Sequence, residues 1–210
     1  MRGRHHAICG AAVAAPALLY LTRGSIGAVV VGVPIATLGA MLPDIDTRRF
    51  PLQGEVWRAW KRLAKTARSR GPLGMPFALA AILVGALMAG TLGALSWLVR
   101  RVVSHRGFTH TVFCTAIIGV AATWASLRLV GSWVPGVALA IGYASHLVTD
   151  AMTYRGVDAF EPLIPLTVHL LPPGLRFGNG GAREGIAVFA IVVAAILGIA
   201  TAYARFGPRL

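Results

Sequence analysis

The stretch VPGVALAIGYASHLVTDAM, residues 134–152, decides how the rest of the chain is read. Its first part is uncharged and rich in Gly and Ala, and its last part sets His146 and Asp150 four residues apart. On a helix, that spacing puts both side chains on one face, one turn from each other. About 20 apolar residues carry a helix across a hydrocarbon core about 30 Å thick. An ionisable residue inside such a segment is costly and points to function. Taken alone, the pair is equally compatible with a buried His–Asp contact that locks helices together.

Similar apolar segments lie outward from this one, at 7–21, 26–42, 75–99, 111–130 and 185–204. The first two read as a hairpin broken at Thr22–Ser25; 111–130 and 134–152 read as another, turning at Gly131–Trp133. Gly and Ala recur throughout, as close helix packing in lipid requires. The 210 residues are 56% hydrophobic and 13% charged, against about 25% charged in soluble domains. Too few charges remain to coat a water-facing surface. The fold class is therefore all-α, a polytopic membrane helix bundle with five to six apolar helices. Residues 1–210 form one membrane-embedded domain, in which 43–110 is a basic and apolar insertion and 153–183 a Pro/Gly-rich loop.

The net charge of +13 reads as a topology signal and as contact with anionic lipid rather than as a nucleic-acid surface. Within the basic 48–70 segment, residues 55–70 have Val56, Trp57, Trp60, Leu63, Ala64 and Ala67 at helical spacing. Such a basic amphipathic helix suits anionic lipid headgroups, and membrane lipid is the expected partner. Cys9 and Cys114 sit in apolar stretches outside any Cys-x-x-Cys pair and read as small core residues.

Most of the histidines and acids concentrate at segment ends. Arg4-His5-His6 opens the first segment, and Pro43-Asp44-Ile45-Asp46 follows the second. His105-Arg106-Gly107-Phe108-Thr109-His110 precedes the fourth, His146 and Asp150 end the fifth, and Glu184 opens the last. Imidazole and carboxylate together suit zinc, with manganese or iron as alternatives. His6, Asp44, His105, His110, His146 and Asp150 are the candidate ligands of a divalent metal, with Asp46 beside them. A metal lowers the pKa of a bound water and makes hydroxide available near neutral pH. Arg106, Asp46 and Glu184 are the candidate catalytic groups: Arg106 can clamp an anionic oxygen, or contact a lipid headgroup instead. Glu184 either faces the same site or complements the positive end of the last helix. His5 is either a partner that supports a ligand or a solvated neighbour, Thr109 orients a ligand or caps a helix, and His169 reads as structural.

His6, Leu42-Pro43-Asp44-Ile45-Asp46, His105-Arg106-Gly107-Phe108-Thr109-His110, and Gly142 through Asp150 followed by Thr153-x-Arg155-Gly156-Val157 resemble the YdjM family of bacterial inner-membrane proteins. That family is predicted to comprise metal-dependent hydrolases. It is in turn distantly similar to the zinc-dependent phospholipase C and single-strand nuclease superfamily. The resemblance implies hydrolysis of a phosphoester, of a lipid or similar substrate, through a metal-activated water. The rival readings are a non-catalytic metal-binding membrane protein and a metal-ion transporter. In the resembled family a polar loop usually joins the Asp-x-Asp and His-Arg-Gly motifs; here that link carries the apolar segment 75–99.

One shared site constrains topology. A single straight crossing by 75–99 would put Asp44 and His105 on opposite sides of the membrane. The expectation is that 75–99 either turns back at Gly85, Gly90 or Gly93 as a re-entrant hairpin, or lies tilted along the surface. Residues 1–6, 43–110 and 153–183 then carry 16 of the 20 Lys and Arg on the side of the site. The positive-inside rule makes that side cytoplasmic, in a multi-pass protein of the bacterial inner membrane.

Overall fold

The computed structural model describes residues 3–47, 50–102 and 107–207. Among them are seven α-helices: α1 (Gly3–Leu21), α2 (Ile26–Gly39), α3 (Pro51–Arg68), α4 (Met75–Val102), α5 (Val112–Val130), α6 (Val134–Ala151) and α7 (Ala182–Phe206). Helices α1, α2 and α4–α7 coincide with the six apolar segments, and α3 with the amphipathic one. Four stretches, Ile26–Asp46, Pro72–Arg101, Val112–Val130 and Ala182–Phe206, are long and apolar enough to cross a membrane. The chain divides into two compact units, Met1–Pro43 with Arg106–Leu210, and Asp44–His105.

In the first unit α6 is central, packing on α1, α2 and α5, while α1 also packs on α2 and α7. The local signals explain where these helices start and stop. The hydroxyl of Ser25 accepts from the Ala28 amide at the start of α2, and that of Thr111 from the Cys114 amide at the start of α5. Gly131, with φ of 68°, closes α5 in the left-handed conformation that glycine adopts freely. The α2–α6 seam depends on absent side chains. A Cβ on Gly142 would lie 1.9 Å from the Ala36 carbonyl oxygen, and one on Gly39 would lie 2.3 Å from that of Leu139. Backbones meet directly there, as small-residue helix contacts in lipid do.

Contacts fix the directions. The start of α1 meets the end of α6, where His6 touches Thr149, and the start of α7, where His5 touches Glu184. The far end of α1 meets the far end of α7 through Tyr20 and Thr201. Ala40, just past α2, reaches His146, and Cys114 at the start of α5 reaches Tyr143. One end of this unit therefore gathers the starts of α1, α5 and α7 and the ends of α2 and α6. The connection after α6 is ordered by bridges pairing Thr153 with Phe177 and Val157 with Val168. Phe177 is buried against Cys9 and Val188. Both cysteines are buried free thiols.

In the second unit, α3 packs on α4 around Ala64, Ala78 and Ala81, with Trp60, Ala67 and Ile82 alongside. The re-entrant turn expected within 75–99 is absent: α4 is one unbroken helix of 28 residues. Two of its three glycines serve packing instead of turning. A Cβ on Gly85 would meet Trp60 at 2.4 Å, and one on Gly93 would meet Gln53 at 2.6 Å. Interior glycines cost a helix roughly 1 kcal/mol each, too little to break a long apolar helix that would otherwise expose backbone groups.

Candidate metal centre

His6 sits in the first turn of α1, His110 in the 3-10 turn Phe108–His110 before α5, and His146 and Asp150 in the last turns of α6. No residue of the four is more than 2% exposed. Burying four polar side chains together is expensive unless each is satisfied or a cation joins them. The rings of His6 and His146 stack at 3.7 Å between centroids, 15° from parallel. His110 meets His146 edge-on at 5.2 Å. One ligand atom from each of His110, His146 and Asp150 lies within 4.8 Å of the other two.

The hydrogen bonds determine which nitrogens face inward. His146 Nδ1 lies 2.8 Å from the Ala40 carbonyl oxygen. A carbonyl only accepts, so Nδ1 donates and the ring turns Nε2 the other way. Thr149 donates its single hydroxyl proton to the His146 carbonyl at 3.0 Å. It must therefore accept from His6 Nδ1 at 2.9 Å, which turns His6 Nε2 to the opposite side of its ring. Both Nε2 atoms face one carboxylate: His6 Nε2 is 3.4 Å from Asp150 Oδ1, and His146 Nε2 is 3.7 Å from Asp150 Oδ2. Imidazole nitrogens converging on a carboxylate are the donor types that hold a divalent cation. Ligand bonds of 2.0–2.2 Å in a tetrahedral zinc site separate neighbouring donors by about 3.4 Å. Histidines whose second nitrogen donates to a carbonyl or hydroxyl are oriented as metal ligands are. The donor set fits a divalent metal.

A model of the YdjM family, described as the YdjM inner membrane protein, matches residues 1–206. The chain belongs to the YdjM family. No curated protein and no solved structure matches it. In this YdjM-family protein, the expected site residues other than Glu184 fall into three groups. His6, His110, His146 and Asp150 come together as described. Asp44 and Asp46 belong to the second unit, in the 3-10 turn that ends at Asp46. That turn is braced there by Thr47, whose amide and hydroxyl both donate to the Asp44 carbonyl, and by Ser96, which donates to the Ile45 carbonyl at 2.6 Å. His105 and Arg106 lie outside the described residues.

Glu184 is fully buried in the first turn of α7. It pairs with His5 Nδ1 at 2.7 Å and accepts from the Gly180 amide. This resembles a capping box, in which a first-turn glutamate reaches back to an amide before the helix. His5 thus ties α1 to α7 while its neighbour His6 faces α6. His169 contacts the Tyr154 carbonyl at 3.2 Å in the connection after α6.

Three supporting groups of this YdjM-family site carry no distinguishing signal in the sequence. Thr149 lies within residues 134–152, where a threonine on an apolar helix does not stand out. The Ala40 carbonyl has no side-chain signal at all. Tyr143 donates to the Thr109 carbonyl at 2.6 Å, bracing the turn that presents His110; an aromatic in an apolar helix reads simply as core.

Proposed function

We propose that this YdjM-family protein is a metal-dependent hydrolase of the inner membrane, acting on a phosphoester at the cytoplasmic surface of the bilayer. The observation that carries the reading is the convergence of His6 Nε2 and His146 Nε2 on the Asp150 carboxylate. His110, His146 and Asp150 would hold the ion, with His6 beside Asp150, and imidazole with carboxylate donors favours zinc. When bound, such an ion supplies Lewis-acid polarisation and lowers the pKa of a coordinated water. Thr149 and the Ala40 carbonyl hold the two imidazoles by Nδ1, so that Nε2 of each is the atom that would meet the ion. Arg106 is the group whose guanidinium suits the charge that develops on phosphoryl oxygens. The excess of Lys and Arg in 1–6, 43–110 and 153–183 supports the cytoplasmic side.

One observation favours a second reading, a structural metal staple: the four donors are almost wholly buried, as closed structural sites are. Metal analysis of the purified protein, combined with a panel of phospholipid and phosphodiester substrates, separates the two. Turnover that requires metal and is lost in His146→Ala supports hydrolysis. Bound metal with no turnover on any substrate, and unfolding on its removal, would establish the staple. A transporter needs polar groups along a path through the bilayer, whereas these four lie at one end of their unit.

A further inference from the structure

The second unit poses a problem of depth. Helix α4 is apolar enough to cross a bilayer, yet α3 lies antiparallel along most of its length. Gly74, just before α4, meets Ala67 of α3, and on α4 Gly85 meets Trp60 and Gly93 meets Gln53. At 1.5 Å per residue, the overlap from 74 to 93 is about 28 Å, nearly the full hydrocarbon thickness of about 30 Å. Arg58, Lys61, Arg62, Lys65 and Arg68 all lie on α3 beside this overlap, and all are exposed. The one acid of α3, Glu55, is paired with Arg58 at 2.6 Å. A hairpin standing across the membrane would hold unpaired cations at the depth where they are most costly.

Connectivity leaves few choices. The chain leaves the first unit after Pro43 and re-enters it at Arg106. Ala40 and Thr109, close to those points, lie at the end of that unit where His146 and Tyr143 sit. Starting and finishing on one side of a bilayer, α3 and α4 must both cross or both stay. The composition of α3 excludes crossing.

We propose that the α3–α4 hairpin lies in the plane of the membrane surface and docks on anionic lipid. Lys61, Lys65 and Arg68, at positions i, i+4 and i+7, line a groove of about 410 Å³ with Trp57, Ala64 and Ile82. Three cations above an apolar floor complement a lipid phosphate with its acyl chain below. Lys61 stands over the Trp57 ring at 5.5 Å, and Arg101 over Trp97 at 4.7 Å; Trp beside a cation is the usual composition of the headgroup layer. Away from α3, α4 exposes Phe77, Leu79, Leu83, Leu87 and Leu95 to the acyl chains.

The test uses the full-length protein in vesicles of phosphatidylcholine with one-quarter phosphatidylglycerol, spin-labelled singly at Phe77→Cys, Met88→Cys or Leu95→Cys in a Cys9→Ser/Cys114→Ser background. These three positions share one face of α4. An in-plane helix gives equal immersion depths at all three. A depth maximum at Met88, with the other two near the headgroups, would overturn the proposal. In a second arm, Lys61→Gln/Lys65→Gln/Arg68→Gln should weaken capture of fluorescent phosphatidylglycerol about tenfold or more, with Arg128→Gln as an unaffected control and circular dichroism confirming the fold. Unchanged capture by the triple variant would remove the groove as the lipid site.

Discussion

The hydroxyl of Thr149 sits 2.9 Å from His6 Nδ1 while donating to the backbone carbonyl of His146 at 3.0 Å. One small side chain therefore sets the tautomer of a histidine on α1 through the helix turn that carries another. Thr149→Val keeps the shape and removes the hydroxyl. The expected result is a 10–100-fold loss of metal affinity, the usual cost of losing such an outer partner, measured by competition with a chromophoric chelator. Thr149→Ser should restore it. Native affinity in Thr149→Val would mean that the hydroxyl does not orient His6.

His146 lies at the centre of the cluster, stacked on His6 and edge-on to His110. His146→Ala should abolish stoichiometric metal in elemental analysis and, with it, any hydrolysis. His169→Ala, in the connection after α6, should leave both unchanged. Equal metal content in the two variants would place the ion elsewhere.

Glu184 makes its contacts within the fold, to the Gly180 amide and His5. Glu184→Ala leaves a buried amide and an imidazole without their acceptor, at a cost of about 1–3 kcal/mol. A lower midpoint of thermal unfolding is expected, with metal bound per folded chain close to normal. A large loss of turnover at unchanged stability would instead assign Glu184 to the chemistry.

The α2–α6 seam couples packing to the site. Gly142→Ala forces a methyl group to 1.9 Å from the Ala36 carbonyl oxygen, and overpacking of this kind costs about 1–3 kcal/mol. Displacing α2 from α6 also moves the Ala40 carbonyl away from His146 Nδ1. Gly142→Ala should therefore lower both the unfolding midpoint and metal affinity, whereas Gly90→Ala, which meets nothing within 4 Å, should lower neither.

Much of this was legible because membrane helices announce themselves by composition, and because a His and an Asp four apart on an apolar segment leave few readings. The hairpin turns at Thr22–Ser25 and Gly131–Trp133, and the amphipathic α3, followed from local pattern alone. The glycines of α4 misled for a physical reason: glycine both permits turns and admits a neighbouring side chain, and sequence does not say which. Gly85 and Gly93 turned out to accommodate Trp60 and Gln53. The partners of His6 and His146 were hidden differently. Ala40 acts through its carbonyl, which every residue has, and Thr149 matters only once α1 is seen beside α6. The pairing of His5 with Glu184 joins residues 179 positions apart, beyond any local signal.

The adjacent histidines of α1 hold contacts in two directions, His5 to α7 and His6 to α6. Helices built largely of Gly and Ala slide past one another in lipid with little penalty, since one smooth alignment resembles the next. A slip of a single residue would advance α1 by about 1.5 Å and rotate it by about 100°, breaking both contacts together. The two histidines thus index the helix like adjacent pins in a lock. An apolar element with almost no positional information of its own is held to one setting by the groups that build the site.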